Sequence, residues 1–223
     1  MDGGHNRAAA TEGAANPHRH KLFLASRSPR RQSLLAERGI RHTAAHPGVE
    51  DSVLVPGHVT PEQWVAALAY LKAVAGIEGQ PVPSAECDWV LGADTACVAD
   101  GRIIGTPESA EEAAAMLRTF SNATHEVVSG FALVCPRNGT RHIYADAATV
   151  HVGALSPAQI DDYVASGQWR GKAGGYNLSE RIDAGWPITY VGDHTTIMGL
   201  PMSRLEDVLS RLSPGPPARE THN

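Results

Sequence analysis

Residues 21–31 read KLFLASRSPRR, in which a short apolar segment is followed at once by the start of a helix. The apolar residues up to Ser26 predict a buried strand, and Ser28 followed by proline is a typical helix N-cap. Arg30 and Arg31 then fall in the first helical turn, where the helix dipole disfavours cations. An anion bound by backbone N–H groups, the two serine hydroxyls and the guanidiniums would remove this conflict, whereas solvent screening of the arginines is the alternative. The segment therefore predicts an anion site at a strand-to-helix junction.

The same pattern of a hydroxyl residue before proline predicts three further helix starts. The pairs are Thr60-Pro61, Thr106-Pro107 and Ser156-Pro157. The first of these helices has a capping box and an apolar stripe formed by Trp64, Leu68, Leu71 and Ala75. The second is expected over 107–119, and a last helix over 201–212, with a surface loop over 76–86.

Apolar runs between these helices predict strands at 21–26, 88–93 and near 187–192. Asp100-Gly101 and Asn138-Gly139 are turn dipeptides that predict two hairpins. Strands that alternate with helices and also form hairpins predict an α/β fold, with a mixed twisted sheet and flanking helices. A single domain is expected over 19–212, between disordered tails over 1–18 and 213–223.

The composition narrows the function classes. The chain has 223 residues and a formal net charge of −5, which argues against a general nucleic-acid binder. Three cysteines without a CxxC pair argue against a disulfide framework or structural zinc and favour a reducing, cytoplasmic compartment. No apolar run approaches the ~18 residues of a membrane span, and the N-terminus lacks an apolar signal segment. A cytoplasmic protein that does not bind membranes is expected.

Three separated stretches are similar to one known family. LASRSPRRQSLL resembles the opening LASxSPRRxxLL motif of the Maf family, which are nucleoside triphosphate pyrophosphatases. The central block of that family is similar to VLGADTACVADGRIIGTPESAEEAAAMLRTFSNATHEVVSGFALV. Its KAGAY and VGLP blocks resemble GKAGGYNL and IMGLP. The similarity covers about residues 20–210. It implies a Maf/ITPase-like fold with a substrate cleft between two lobes, and it suggests a homodimer.

The resemblance also implies a catalytic carboxylate and a metal. Asp94 ends the apolar run WVLGA, where a carboxylate often faces a ligand, although a turn aspartate is the simpler explanation. By resemblance, Asp94 is a proton acceptor or metal ligand, and Thr95 beside it contacts the substrate. The family pattern Asp-Glu-Ser reads Glu50-Asp51-Ser52 here, so Asp51 or Glu50 is expected as a second ligand to Mg²⁺ or Mn²⁺.

Two lysines match phosphate-binding positions of the family, and two other positions depart from it. Lys72 in LAYLKA and Lys172 in GKAGG are implied to bind the triphosphate, although Lys72 on its own reads as a snorkelling side chain. The family lysine of GKP is replaced by Thr106, for which an N-cap role is sufficient. The family glutamine linked to pyrimidine preference is replaced by Ser179, so no base preference is carried over. His125 is expected to be structural.

Two functions are consistent with this sequence. The first is hydrolysis of a nucleoside triphosphate to the monophosphate and pyrophosphate, which by resemblance removes noncanonical nucleotides and is linked to cell-division arrest. The second is a nucleotide-binding regulator of cell division with little turnover. The missing GKP lysine and the Glu50-Asp51 exchange motivate the second hypothesis.

Overall fold

Seven strands of the described chain form a single sheet. A computed structural model describes residues 19–50, 54–79 and 87–212, so the expected tails lie outside the described residues. The strands are β1 (Leu22–Ala25), β2 (His42–Ala45), β3 (Trp89–Ala99), β4 (Arg102–Ile104), β5 (Ala123–Val134), β6 (Arg141–Val152) and β7 (Ile188–Val191). The sheet order is β2-β1-β3-β5-β6-β7, and β4 pairs with β3 beyond the end of β1.

The sheet is mixed, as the sequence predicts. β2, β1 and β3 are parallel neighbours, whereas every other pairing is antiparallel. Asp100 and Gly101 both have positive φ, 48° and 70°, which is the backbone of the predicted type I′ turn between β3 and β4. The Asn138-Gly139 turn joins β5 and β6, which pair along their full length. The short polar strand β2 has no clear signal in the sequence.

Three of the four predicted Ser/Thr-Pro helix starts are confirmed. The helices are α1 (Pro29–Glu37), α2 (Pro61–Glu78), α3 (Ala110–Phe120), α4 (Pro157–Ala165), α5 (Leu178–Asp183), α6 (His194–Ile197) and α7 (Met202–Arg211). Ser28, Thr60 and Ser156 cap α1, α2 and α4 through their side chains. The prediction for Thr106 is wrong, because α3 begins three residues later and the hydroxyl of Ser109 accepts from the Glu112 backbone N–H.

Helix α2 packs on one face of the sheet, across β3 and β5. It continues to Glu78, so the loop predicted over 76–86 is wrong for its first residues, and residues 80–86 lie outside the described chain. The predicted apolar stripe is also only partly correct, because Leu71 is exposed. The side chains that pack inward are smaller, and they include Val65, Ala69 and Ala73. These small residues allow a close approach between helix and sheet.

The opposite face of the sheet carries two apolar cores, which divide the molecule into two lobes. The first core joins β1, the beginning of β3 and the end of β5 to α1 and α7. The second core joins the end of β3, the beginning of β5 and the end of β6 to α3 and α4. Strands β3 and β5 therefore pass through both cores, and the expected cleft lies between them. Among the helices in the described ranges, none has the length and hydropathy of a membrane span.

Candidate active site

The cleft opens along an uncovered part of strand β3. β1 pairs with β3 up to Leu91 and β4 pairs from Cys97, so no described strand lies beside residues 92–96 on this edge. Side chains alternate between the two faces of a strand, and the open edge brings Asp94 from one face and Thr95 from the other into a single cavity. The volume of the cleft is about 730 Å³. This is enough for a ligand of nucleotide size.

The charge of the cleft is predominantly positive. Among the described residues that line it, five are arginine or lysine and two are aspartate or glutamate. The basic residues are Arg30, Arg31, Lys72, Arg170 and Lys172, and the acidic residues are Asp94 and Glu180. A cleft with this excess of cations attracts polyanions such as phosphates.

The loop before α1 and the first turn of α1 carry the predicted anion-binding residues, of which some line the cleft and one lies behind it. Ser28 and the exposed Arg30 line the cleft, whereas Ser26 is buried behind it and is not a lining residue. The hydroxyl of Ser26 accepts from the Ser28 backbone N–H at 3.2 Å and from Arg31 Nη1 at 3.3 Å. Arg31 is partly buried and held by the protein, so the alternative of a solvated, screened arginine is wrong for this residue.

Asp94 lies in the middle of a strand. The expectation of a strand-end position is wrong, because β3 continues through this residue into the hairpin with β4. Lys72 of α2 reaches the same face of the sheet, and its Nζ donates to Asp94 Oδ1 at 2.6 Å. The two side chains are only 15% and 13% exposed, so this is a largely buried ion pair at the wall of the cleft.

The opposite wall is formed by the turn that carries Lys172. A 3-10 turn over Ala173–Gly175 follows it, and Gly174 has a φ of 68°. The backbone N–H of Gly174 donates to the carbonyl of Gly105 at 3.0 Å, which joins this turn to the loop before α3. Thr106 in that loop is exposed and lines the cleft, and Lys172 Nζ donates to Glu180 Oε2.

An apolar and aromatic region adjoins these charged groups. Cys97, Val127 and Leu178 belong to the second core, and together with Tyr176 and His125 they also line the cleft. The Tyr176 hydroxyl lies 2.7 Å from His125 Nε2, and the His125 ring stacks on Phe120 at a centroid distance of 4.4 Å. Such a surface suits the flat, weakly polar part of a nucleoside.

Burial keeps the titratable groups of this region uncharged near neutral pH. Desolvation lowers the pKa of His125 to about 4 and raises the pKa of the Cys97 thiol to about 12. Desolvation also raises the pKa of the Tyr176 hydroxyl. A neutral imidazole and a protonated thiol argue against nucleophilic catalysis here, and the expectation that His125 is structural agrees with its burial.

Some predicted residues do not line the cleft. The hydroxyl of Ser179 donates to the sulfur of the lining residue Met198 at 3.0 Å, and Ser179 itself is not a lining residue. Glu50 is exposed and is not a lining residue, and Asp51 lies outside the described residues. Arg102, another cation near Thr106 in the sequence, is exposed on β4 and lines a separate small depression.

Sequence reasoning missed several lining residues. Glu180 and Arg170 flank the KAGG motif, and Gly199 lies in the IMGLP motif. Their proximity to recognised motifs was a weak signal. It could not show which side chains turn toward the cleft, because that depends on the short helices α5 and α6, which the sequence did not predict.

The donor set of the cleft fits a metal that arrives with its substrate. In the described ranges, no group of three or more His, Cys, Asp or Glu side chains could hold a metal ion. Asp94 offers a carboxylate in the cleft, close to the cationic side chains. Mg²⁺ is commonly held by one or two carboxylates together with substrate phosphates and water, so Asp94 fits an ion that is shared with the substrate.

The sequence of this chain is similar to those of several known proteins. A family model described as "Maf-like protein" matches residues 21–212. A dTTP/UTP pyrophosphatase of Moorella thermoacetica is 38% identical over 193 residues, which cover 85% of this chain and 94% of that protein. A dTTP/UTP pyrophosphatase of Pelotomaculum thermopropionicum is 36% identical over 191 residues, covering 86% and 96%. A third, from a Geobacillus species, is 37% identical over 194 residues, covering 86% and 98%.

Proposed function

The chain belongs to the Maf family, and we propose that its cleft hydrolyses a nucleoside triphosphate to the nucleoside monophosphate and pyrophosphate. The relatives are named for dTTP and UTP, and we propose these two as the first substrates to test. The observation that carries the proposal is the cleft itself, in which a cationic wall lies next to an apolar, aromatic surface.

The proposed binding mode follows from the two parts of the cleft, the cationic wall and the apolar, aromatic surface. The triphosphate lies against Arg30, Arg31, Lys72 and Lys172, where opposite charge and hydrogen-bond donors compensate its negative charge. The nucleoside lies against the surface formed by Tyr176, Val127 and Leu178. Ser28 and the first turn of α1 contribute donors at a helix N-terminus, which favours a phosphate group.

In the proposed reaction, a water oxygen attacks the α-phosphorus and the bond from this phosphorus to the bridging oxygen of the β-phosphate breaks. Asp94 accepts the proton of the attacking water, and pyrophosphate leaves with the bond electrons. Lys72, 2.6 Å from Asp94, keeps this carboxylate oriented toward the cleft. The cations compensate the charge of the transition state, which is the main catalytic contribution that a protein makes to phosphoryl chemistry.

We further propose that Mg²⁺ or Mn²⁺ is required and that phosphate oxygens hold it close to Asp94, which serves either as the proton acceptor or as a ligand to the ion. When bound, such an ion neutralises phosphate charge and acts as a Lewis acid. A second ligand from Glu50 or Asp51 stays a prediction. The homodimer and the cytoplasmic location are also still predictions. Three free, buried cysteines support the cytoplasmic location.

The test is a panel of triphosphates that includes dTTP, UTP, CTP, ATP and GTP, each assayed with Mg²⁺, with Mn²⁺ and with EDTA. We expect equimolar monophosphate and pyrophosphate from at least one substrate, and loss of release with EDTA. Tight nucleotide binding without release would overturn the proposal and favour the nucleotide-binding regulator. Release of orthophosphate alone would exclude attack at the α-phosphorus.

A further inference from the structure

A row of polar side chains crosses the sheet between the two apolar cores. Thr95 of β3 pairs with Ser129 of β5, and Ser129 pairs with Asp146 of β6, so the three side chains share one face. Helix α6 covers this row, and Thr196 Oγ1 donates to Asp146 Oδ2 at 2.8 Å. Ser129 and Thr196 are fully buried. Polar groups in such a position need defined hydrogen bonds, because an unsatisfied one is costly.

The hydrogen bonds of the row have a definite direction. Ser129 Oγ donates its proton to the carbonyl of Thr196 at 2.7 Å, and a carbonyl can only accept. In the 2.8 Å contact between the two hydroxyls, Thr95 must therefore donate and Ser129 must accept. The other acceptor near Thr95 is the Gly199 carbonyl at 3.5 Å, which is too long to compete.

Arg31 lies at the end of this chain. With its proton committed to Ser129, Thr95 Oγ1 accepts from Arg31 Nη2 at 3.2 Å. Arg31 Nε donates to the Gly199 carbonyl at 2.9 Å. Gly199 has a φ of 102°, and a Cβ at this position would lie 3.2 Å from Thr95 Oγ1. The guanidinium is therefore packed and hydrogen-bonded into one orientation at the cleft.

We propose that Ser129 is a positioning residue for Arg31 and acts through Thr95, an inference that rests on the proposed function. In this arrangement Thr95 does not donate to the substrate. It accepts from Arg31 and keeps the guanidinium directed at the triphosphate. Preorganised donors stabilise charge better than donors that must reorient, so breaking this chain weakens triphosphate binding although Ser129 touches no substrate.

The test is a double-mutant cycle that combines Ser129→Ala with Arg31→Ala. The readouts are KM and kcat for hydrolysis, and the Kd of α,β-imido-dUTP measured by calorimetry with Mg²⁺. We expect Ser129→Ala alone to raise KM and Kd about ten-fold, with kcat changed less than about three-fold. In the Arg31→Ala background the same change should alter Kd less than about two-fold. An equal loss in both backgrounds, or no loss in the first, would overturn the proposal.

Two further variants separate positioning from stability. Thr196→Val removes a fully buried hydroxyl of the same row but leaves the carbonyl that Ser129 uses, so it should lower Tm without changing KM. Thr95→Ser should retain substrate affinity, whereas Thr95→Val should reproduce the effect of Ser129→Ala. If Thr196→Val raised KM as much as Ser129→Ala does, the row would have only a structural role, and the positioning role of Ser129 would be overturned. If Ser129→Ala does not fold, Thr95→Val takes its place in the cycle.

The position of Arg31 can also be observed without any turnover. Its Nε–H, which donates to Gly199, should give a protected side-chain signal in ¹⁵N-labelled protein. Ser129→Ala should accelerate its hydrogen exchange, and Thr196→Val should not. Unchanged exchange in Ser129→Ala would overturn the positioning role. Absence of pyrophosphate release from the wild-type chain would instead overturn the proposed function alone.

Discussion

At the scale of single residues, both lysines of the cleft have carboxylate partners within the protein. Lys72 donates to Asp94, and Lys172 donates to Glu180. An incoming triphosphate must therefore share these cations with the carboxylates or displace them. The Lys72–Asp94 pair is the stronger competitor, because both of its side chains are largely buried, whereas Glu180 of the other pair is 44% exposed to solvent.

The role of Asp94 can be tested by Asp94→Asn, which keeps the shape of the side chain and removes its charge. Turnover should fall by about 10²–10⁴-fold, the usual effect of losing a general base. Binding of α,β-imido-dUTP measured without a divalent metal should be retained, since one carboxylate that repels the phosphates is gone. Pyrophosphate release and Tm are measured on the same sample, with Asp161→Asn on the exposed side of α4 as control. Near-wild-type release from a folded variant would exclude Asp94 from the chemistry.

Thr106 can be tested as a vacant lysine position. Because Thr106 lines the cleft and does not cap α3, Thr106→Lys should increase turnover without lowering Tm. Ser109→Ala removes the actual cap and should lower the free energy of unfolding by about 1 kcal/mol. An unchanged kcat in a well-folded Thr106→Lys protein would mean that another cation, such as Arg170, already serves this part of the substrate.

At the scale of elements, the position of α2 depends on two glycines in neighbouring strands. A Cβ on Gly92 would lie 2.0 Å from the Ala69 carbonyl oxygen, and a Cβ on Gly130 would lie 2.9 Å from the carbonyl carbon of Val65. The helix therefore rests directly on the backbone of β3 and β5. This close approach is what brings Lys72 within hydrogen-bond distance of Asp94.

The packing of α2 predicts a large effect of Gly92→Ala. The new methyl group overlaps helix backbone, which cannot move as a flexible side chain would, so the free energy of unfolding should fall by about 3 kcal/mol or more. Displacement of α2 should also reduce turnover in the protein that still folds. Urea unfolding and pyrophosphate release measure the two effects. Gly105→Ala, where a Cβ meets nothing within 4 Å, is the control, and equal stability losses would contradict the explanation.

At the scale of the whole molecule, two lobes share strands β3 and β5 and have the cleft between them. Two buried histidines lie at opposite ends of this structure. His20 contacts the Leu209 carbonyl at the end of α7, and His125 packs in the aromatic cluster of the second lobe. Desolvation lowers the pKa of both. The stability of the molecule is therefore coupled to pH.

This coupling predicts acid destabilisation. The unfolded chain protonates His125 near pH 6.5, whereas the folded protein does so only near pH 4. The contribution of His125 to the free energy of unfolding is therefore fully present above about pH 6.5 and falls by roughly 3 kcal/mol as the pH decreases to 4. Urea unfolding at several pH values measures the loss, and His125→Gln should remove the part of it that comes from His125. A pH-independent stability over this range would contradict the buried neutral state.

Several features of this protein were determined by its sequence alone, because they depend on interactions within a few residues. The caps at Ser28, Thr60 and Ser156 involve backbone N–H groups three residues away, and the Asp100-Gly101 turn depends on two backbone conformations. The recognised motifs also indicated the lining residues Arg30, Arg31, Lys72, Asp94 and Lys172. The mixed sheet followed from the hairpins and the intervening helices.

Only the tertiary structure decided the remaining features, because they depend on contacts between distant segments. Thr106-Pro107 has the local pattern of a helix start. However, the Gly174 backbone N–H donates to the Gly105 carbonyl and Pro107 is buried, so α3 begins later. The pairing of Lys72 with Asp94 requires the crossing of α2 over Gly92 and Gly130. The link from Ser129 to Arg31 requires the register of β3 with β5 and the position of α6. Sequence patterns do not encode such distances directly, since they arise only when helices and strands pack against one another.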